Sequence, residues 1–319
     1  MSIFNTPTPL PVDLDYHLKA TNWDGHSFGY SLLMINDHAR NQFYRDVIGD
    51  VTGKVVLDIG AGTGLLSVIA VQQGAKEVFA YEHNRQNYEI ARAFIERSGL
   101  SDRIHLICAD ILSVDNISCP HPSIDVIVTE TFANDCFIEN FAFLVEHVEK
   151  RFNLSEDCRW IPDNITLNIS SVDMPSVPEF SPGVDIPNSY RNEINNAIQV
   201  FRDTVYHEHN YIARKQINMP VAQIAKFIPT DMQTLDTFQV DKHLRSRLDE
   251  SAYSVIIDHA DMKNPYIKVD WILHGGAKEL MLNNCTSWRS IAFKVDPNGS
   301  SDFYFRFNPL THAFIGSQL

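Results

Sequence analysis

"KVVLDIGAGTG", residues 54–64, decides the fold. Val55, Val56, Leu57 and Ile59 surround a single acid, Asp58, and the run closes on Gly60, Gly62 and Gly64. A short apolar run ending in glycine reads as a buried strand of a parallel sheet. Glycines at alternate positions let the backbone turn tightly and approach a ligand where any Cβ would clash. A dinucleotide-binding turn reads G-x-G-x-x-G; here the third glycine comes one residue early.

The neighbouring sequence repeats the alternation. "GLLSVIAVQQG" has helical spacing and stops at Gly74; "KEVFAYE" is a second strand; "NRQNYEIARAFIERSG" is a second helix ending at Gly99. "RIHLICAD" and "IDVIVTE" are further strands, and "FAFLVEHVEKRF" places Phe141, Leu144, Val145, Val148 and Phe152 on one helical face. Strands alternating with helices predict a doubly wound parallel sheet. After "RWIPDNI" the period changes. Ile165, Leu167 and Ile169 of "ITLNISSV" fall on one side, the signature of a half-buried antiparallel strand. "YIKVDWILHGG", "WRSIAFKVD" and "DFYFRFN" look alike, so a second, mostly β domain is expected to begin near Pro162. Within it, "YRNEINNAIQVFRDTVYHEHNYIA" carries an amphipathic helical pattern, which spacing alone assigns either to a core helix or to an arm that packs on another subunit.

The bulk numbers bound the function. The chain has 319 residues, 26 Lys+Arg and 40 Asp+Glu, for a net charge of −14. That balance argues against a nucleic-acid-binding surface, so no direct nucleic-acid partner is expected, and it would attract basic partners. The five cysteines form no CxxC pair and no Cys/His metal spacing, so no metal is expected and a reduced intracellular setting is. No basic stretch followed by an apolar core opens the chain, and no apolar run is long enough to span a bilayer. A cytoplasmic protein, with the nucleus also open to it, is the expectation. The two histidines of "YHEHNY" stand two apart, outside any metal-ligand frame, and the stretch reads as ordinary surface or core.

D-x-G-x-G-x-G after a strand, here Asp58, Gly60, Gly62 and Gly64, resembles motif I of the class I S-adenosyl-L-methionine (SAM)-dependent methyltransferases. The resemblance implies a Rossmann-like domain with SAM as cofactor. SAM has no phosphates, so such a loop admits an amino acid and a ribose rather than cradling a pyrophosphate. Glu82 ends the second strand, where a carboxylate accepts hydrogen bonds from ribose hydroxyls, the geometry used in dinucleotide folds. Asp110, after the third strand, is placed to accept from the adenine amine.

"VTETFANDCFIEN", residues 128–140, then holds Glu130 and Glu139 nine positions apart in a largely apolar stretch. Ligands bind at the carboxyl edge of such sheets, where Glu130 falls. Two carboxylates suit a guanidinium, whose planar fork of donors they can grip from two sides. The pair resembles the double-E loop of the protein arginine methyltransferases, and the wording "ETFANDCFIEN" is closest to the monomethylating branch, departing from it at Ala133 and Asn140. "SLLMINDHARNQFYRDVI" is similar to that family's first motif helix, which implies that Arg40 holds the SAM carboxylate and Met34 lines the arginine pocket. "TSW", residues 286–288, resembles the family's T-H-W loop, implying that Trp288 packs on the substrate arginine, with Ser287 in place of the His that pairs with an Asp matched here by Asp37.

The resemblance thus implies an N-terminal segment, 1–50, covering the SAM site, a Rossmann-like domain, 51–162, and a β-barrel substrate domain, 163–319. Its insertion at about 183–225 falls where the family places a dimerisation arm, so a homodimer is expected. The implied activity is methyl transfer to an arginine in a basic segment of a protein. Two alternatives stand beside it: methylation of another protein side chain or a small guanidino compound, and a SAM-binding pseudoenzyme or scaffold.

Overall fold

The computed structural model describes residues 34–115, 121–132, 139–173, 232–262, 265–281, 291–307 and 314–319. The predicted arm, Ser287 and Trp288, the residues ahead of Met34 and the middle of the 128–140 stretch lie outside them.

Five strands form one parallel sheet: β1 (Val55–Ile59), β2 (Glu77–Tyr81), β3 (Ile104–Ile107), β4 (Ile124–Thr129) and β5 (Leu154–Ile161), in the order β3-β2-β1-β4-β5. β1 lies at the centre and is buried along its whole length, as its unbroken apolar run requires. β5 was not expected from its sequence. It is an edge strand, and its exposed residues include Glu156, Asp157 and Arg159, which interrupt the apolar signal.

The helices follow their sequence patterns. α1 (His38–Ile48) starts at Asp37, whose side chain accepts from the Arg40 amide. α2 (Leu65–Gln72) is apolar nearly all round and is buried accordingly. α3 (Arg85–Arg97) is capped by Asn84, buries Ala91 and Ile95, and carries Arg–Glu pairs outside. α4 (Phe141–Arg151) buries the apolar face read from its sequence, Phe141, Leu144, Val145 and Val148. α5 (Leu244–Glu250) docks on α4 through Arg245 and Glu146, 2.9 Å apart. Among the described residues no helix is long and apolar enough to cross a membrane.

Antiparallel strands build the rest. β6 (Asn164–Asp173), β7 (Gln233–Gln239), β9 (Pro265–Gly275) and β10 (Lys278–Met281) pair in the order β10-β9-β6-β7, and β11 (Ile291–Lys294) also pairs with β9. β8 (Ala252–Ile256), β12 (Asp302–Phe307) and β13 (Phe314–Gln318) form a three-stranded sheet. Ile165, Leu167 and Ile169 share one face with Val269, Trp271 and Leu273, the apolar side that the alternation predicted. The opposite face departs from the half-buried expectation. Thr166, Asn168, Ser170, Lys268 and Asp270 are buried too, and Lys268 meets Asp270 at 2.9 Å. A charge kept from water needs such a partner.

Two contacts tie the halves of the molecule together, the first at the carboxyl edge of the parallel sheet and the second at the far end of α1. Phe132 packs edge-on against Phe141 of α4 and Trp271 of β9, with ring centroids 5.3 and 5.7 Å away. The end of α1 lies between Arg159, which donates to the carbonyls of Val47 and Ile48, and the β9–β10 turn, where Lys278 reaches Asp46 at 3.1 Å. Gly275 has no room for a side chain, because a Cβ there would lie 2.1 Å from Val47.

Candidate active site

Strand register sets three of the predicted residues in a row. Ile59 pairs with Tyr81 on one side and Thr129 on the other, so Gly60, Glu82 and Glu130 are the next residues of three adjacent strands. The glycine loop begins there. Gly60, Gly62 and Gly64 all have positive φ, at 72°, 56° and 82°, a region that costs glycine nothing and other residues about 1 kcal/mol or more. The amides of Gly60 and Ala61 both donate to the Tyr81 carbonyl, which folds the loop over the end of β2.

Glu82 is buried and fixed from both sides. Its Oε2 accepts from the Gly62 amide at 2.8 Å and its Oε1 from the Asn84 amide at 2.6 Å. Asp58 lies beneath the loop, fully buried, with its Oδ2 2.5 Å from the Ser67 hydroxyl in the first turn of α2. It serves that helix as a capping acceptor, since the N-cap residue, Gly64, has no side chain. Burial pushes the Asp58 carboxyl up to about 6 against the Ser67 hydrogen bonds.

Asp110 stands slightly apart. It is exposed at the end of β3 and caps the 3₁₀ turn Ile111–Ser113, accepting from the Leu112 amide at 3.0 Å. Met34 is half-buried in the turn ahead of α1, its carbonyl accepting from the Asp37 amide at 3.2 Å.

Arg40, Glu130 and Glu139 are brought together. Arg40 Nη1 lies 2.9 Å from Glu130 Oε2, and both side chains are 4% exposed. The other carboxylate oxygen, Glu130 Oε1, is buried with no hydrogen-bond partner among the described residues. Burial raises the Glu130 carboxyl to about 8; Arg40 opposes this, while Glu139 and Asp37 add to it. Burial likewise raises Glu139 to about 7, with Arg40 opposing and Glu82 adding. Burial is the leading cause in both, so each carboxyl holds its proton to higher pH than in water, and a cation bound between them would favour the ionised pair.

Two contributors escaped the sequence reading. Tyr44, fully buried, donates its hydroxyl to the Thr129 carbonyl at 2.9 Å and so holds α1 against the end of β4. Thr129 donates in turn to the Ile59 carbonyl at 3.1 Å. Tyr44 lies four positions after Arg40, on the same helical face, within the stretch similar to the first motif helix, but nothing there names its partner; Thr129 carries neither a charge nor a motif spacing. Among the described residues no group of His, Cys, Asp or Glu is placed to hold a metal.

Comparison with known proteins agrees with this layout. A family described as ribosomal protein L11 methyltransferase (PrmA) matches residues 44–151. Protein arginine N-methyltransferase 1 of Oryza sativa subsp. japonica is 31% identical over 156 residues, 47% of this chain and 39% of that protein. Ribosomal protein arginine N-methyltransferase rmt3 of Schizosaccharomyces pombe is 37% identical over 128 residues, 39% of this chain and 22% of that protein. The matched part therefore spans well under half of these curated relatives. Among solved structures, PRMT6 with SAH superposes with a TM-score of 0.65 at 17% identity, covering 90% of this chain and 98% of that one. The Trypanosoma brucei PRMT1 enzyme–prozyme heterotetrameric complex with AdoHcy gives 0.60 at 17% identity, covering 88% and 89%. The chain thus has the fold of these structures, a Rossmann-like unit joined to antiparallel β-structure.

Proposed function

We propose that this chain is a SAM-dependent protein arginine N-methyltransferase. The observation that carries the reading is Glu130: it already grips one buried guanidinium, that of Arg40, and its second oxygen is buried with no hydrogen-bond partner among the described residues, within electrostatic reach of a second acid, Glu139. An arginine side chain supplies what that oxygen and Glu139 lack, a planar fork of N–H donors and a positive charge.

The loop fits the cofactor. Three glycines leave its backbone bare, and Glu82, buried at the end of β2, offers acceptor lone pairs to a ribose. Gly60, Gly62, Gly64 and Glu82 would hold SAM, with Asp58 bracing the loop from below, Arg40 meeting the carboxylate and Asp110 near the base. When bound, SAM supplies an electrophilic methyl group on a sulfonium. Glu130 and Glu139 bind the substrate guanidinium from two sides and draw its positive charge toward themselves. That leaves electron density on the remaining nitrogen, which the clamp aims along the line of transfer. Such alignment provides most of the rate gain available to a displacement of this kind. After transfer, the ionised clamp is well placed to take up the released proton.

The finer parts of the reading are the double-E clamp of Glu130 and Glu139, a place near the monomethylating branch, Met34, Ser287 and Trp288 shaping the arginine pocket, and the domain limits at about 50 and 162. To these we add a homodimer, a cytoplasmic location and a substrate arginine set in a basic segment, which the net charge of −14 favours. The test is transfer of labelled methyl to Arg-rich peptides, with mass spectrometry locating the product. Glu139→Gln at the wild-type rate would refute the clamp. A second reading, methylation of another protein side chain, draws on the match to the ribosomal protein L11 methyltransferase family; methyl groups found off arginine would favour it.

A further inference from the structure

The ends of β1 and β4 meet at a pair of threonines that flank Glu130. Thr129, the last residue of β4, is buried opposite Ile59. Its hydroxyl donates to the Ile59 carbonyl at 3.1 Å. A hydroxyl has one proton, so the Thr131 hydroxyl, 2.9 Å away, is the donor to Thr129 Oγ1. The Thr131 amide donates to the same oxygen at 3.3 Å. Thr129 Oγ1 thus gives one hydrogen bond and receives two, its full capacity. The Thr129 carbonyl is held separately by the Tyr44 hydroxyl at 2.9 Å. The methyl group of Thr131 reaches the glycine loop, 2.6 Å from where a Cβ on Gly60 would lie.

These bonds bracket Glu130. The peptide unit before it is fixed through the Thr129 carbonyl, and the one after it through the Thr131 amide. The same two threonines touch Ile59 and Gly60, where the cofactor loop begins, and Tyr44 belongs to the helix that carries Arg40. We propose that Thr129 is a positioning residue for methyl transfer: it fixes the direction of the Glu130 side chain relative to the glycine loop, with Tyr44 as its second tether. The proposal rests on the arginine methyltransferase reading. It says that the hydroxyl acts on alignment and leaves the cofactor's own contacts alone. Its loss then falls on kcat, because a small misplacement of reacting groups costs rate steeply.

The experiment uses the full chain and compares Thr129→Val, Thr129→Ser and Tyr44→Phe with wild type. It measures kcat and KM on an Arg-rich peptide, S-adenosylhomocysteine affinity by calorimetry, and melting temperature. Thr129→Val and Tyr44→Phe are expected to lose roughly tenfold or more in kcat, with S-adenosylhomocysteine affinity held within about threefold. Thr129→Ser, which keeps the hydroxyl, restores kcat to within about threefold of wild type. A Thr129→Val enzyme with wild-type kcat overturns the proposal. So does a Ser variant as slow as the Val variant, or an affinity that falls in step with kcat. Should Thr129→Val fail to fold, Tyr44→Phe decides alone, and wild-type kcat there overturns it. A wild-type protein that binds S-adenosylhomocysteine yet methylates no arginine refutes the underlying reading and the proposal with it; failure of the variants in an active enzyme refutes the proposal alone.

Discussion

Arg40 and Glu130, 90 positions apart in sequence, form a buried ion pair of 2.9 Å at the mouth of the glycine loop. Removing one partner of such a pair leaves the other charge buried and uncompensated. Arg40→Leu is therefore expected to cost roughly 3–5 kcal/mol where Glu130 is ionised. At acid pH the cost shrinks, because Glu130 then takes a proton. Urea unfolding at pH 6 and pH 9 measures the difference, and an equal loss at both values contradicts the pairing.

The acid cluster makes both stability and activity depend on pH. Glu130 and Glu139 stand near 8 and 7, above an ordinary 4.5, so the folded protein keeps protons that the unfolded chain has released. Their contribution to stability is complete below about 4.5 and is lost as pH rises through 7 and 8. Activity runs the opposite way, since gripping a cation needs the ionised clamp. For an Arg-rich peptide, kcat/KM is expected to climb with apparent pKa values near 7 and 8 that belong to the pair. Glu139→Gln leaves a single step in the profile. A flat profile from pH 6 to 9 would show the wild-type clamp ionised throughout and contradict the expectation.

Ser67→Ala tests the acid beneath the loop. The variant removes the 2.5 Å donor from Asp58, which has no exposure to water from which to replace it. The expected cost is about 1–3 kcal/mol. With that hydrogen bond gone, Asp58 moves further above 6, so the loss grows as pH rises through that value. Denaturant titrations at pH 5 and pH 8 read both effects.

Gly60→Ala tests the fit between loop and strand end. At φ 72° an alanine is strained, and its Cβ would lie 2.6 Å from the Thr131 methyl. We expect at least about 1 kcal/mol of destabilisation and a weakened calorimetric affinity for S-adenosylhomocysteine. An alanine variant that binds as wild type does would mean that the loop tolerates displacement.

Much of this was legible in the sequence. Buried parallel strands read as unbroken apolar runs, so β1, β2 and β4 stood out, and with them the edge where Gly60, Glu82 and Glu130 line up. β5 was missed because an edge strand wets one side, and its charges broke the run. The Arg40–Glu130 pair could be guessed as two site residues but not as partners, since contact across 90 positions leaves no local period. The Tyr44–Thr129 bond is quieter still: neither side chain looks out of place in an apolar neighbourhood, and only the fold brings the phenol to that carbonyl.

The burial of both faces of β6 and β9 bears on how the chain avoids misfolding. In a half-exposed sheet, a strand that pairs one position out of step turns its apolar set toward water, and that single penalty corrects it. Here a slip of β6 would drive Asn168 and Ser170 against Trp271 and, at once, Ile165 and Leu167 against Lys268 and Asp270. Both sides reject the error, one through stranded polar groups and the other through an unanswered charge. The strand that leads out of the parallel-sheet half, β6, is thereby keyed to a single alignment with β9, whose Trp271 braces Phe132, two residues from Glu130.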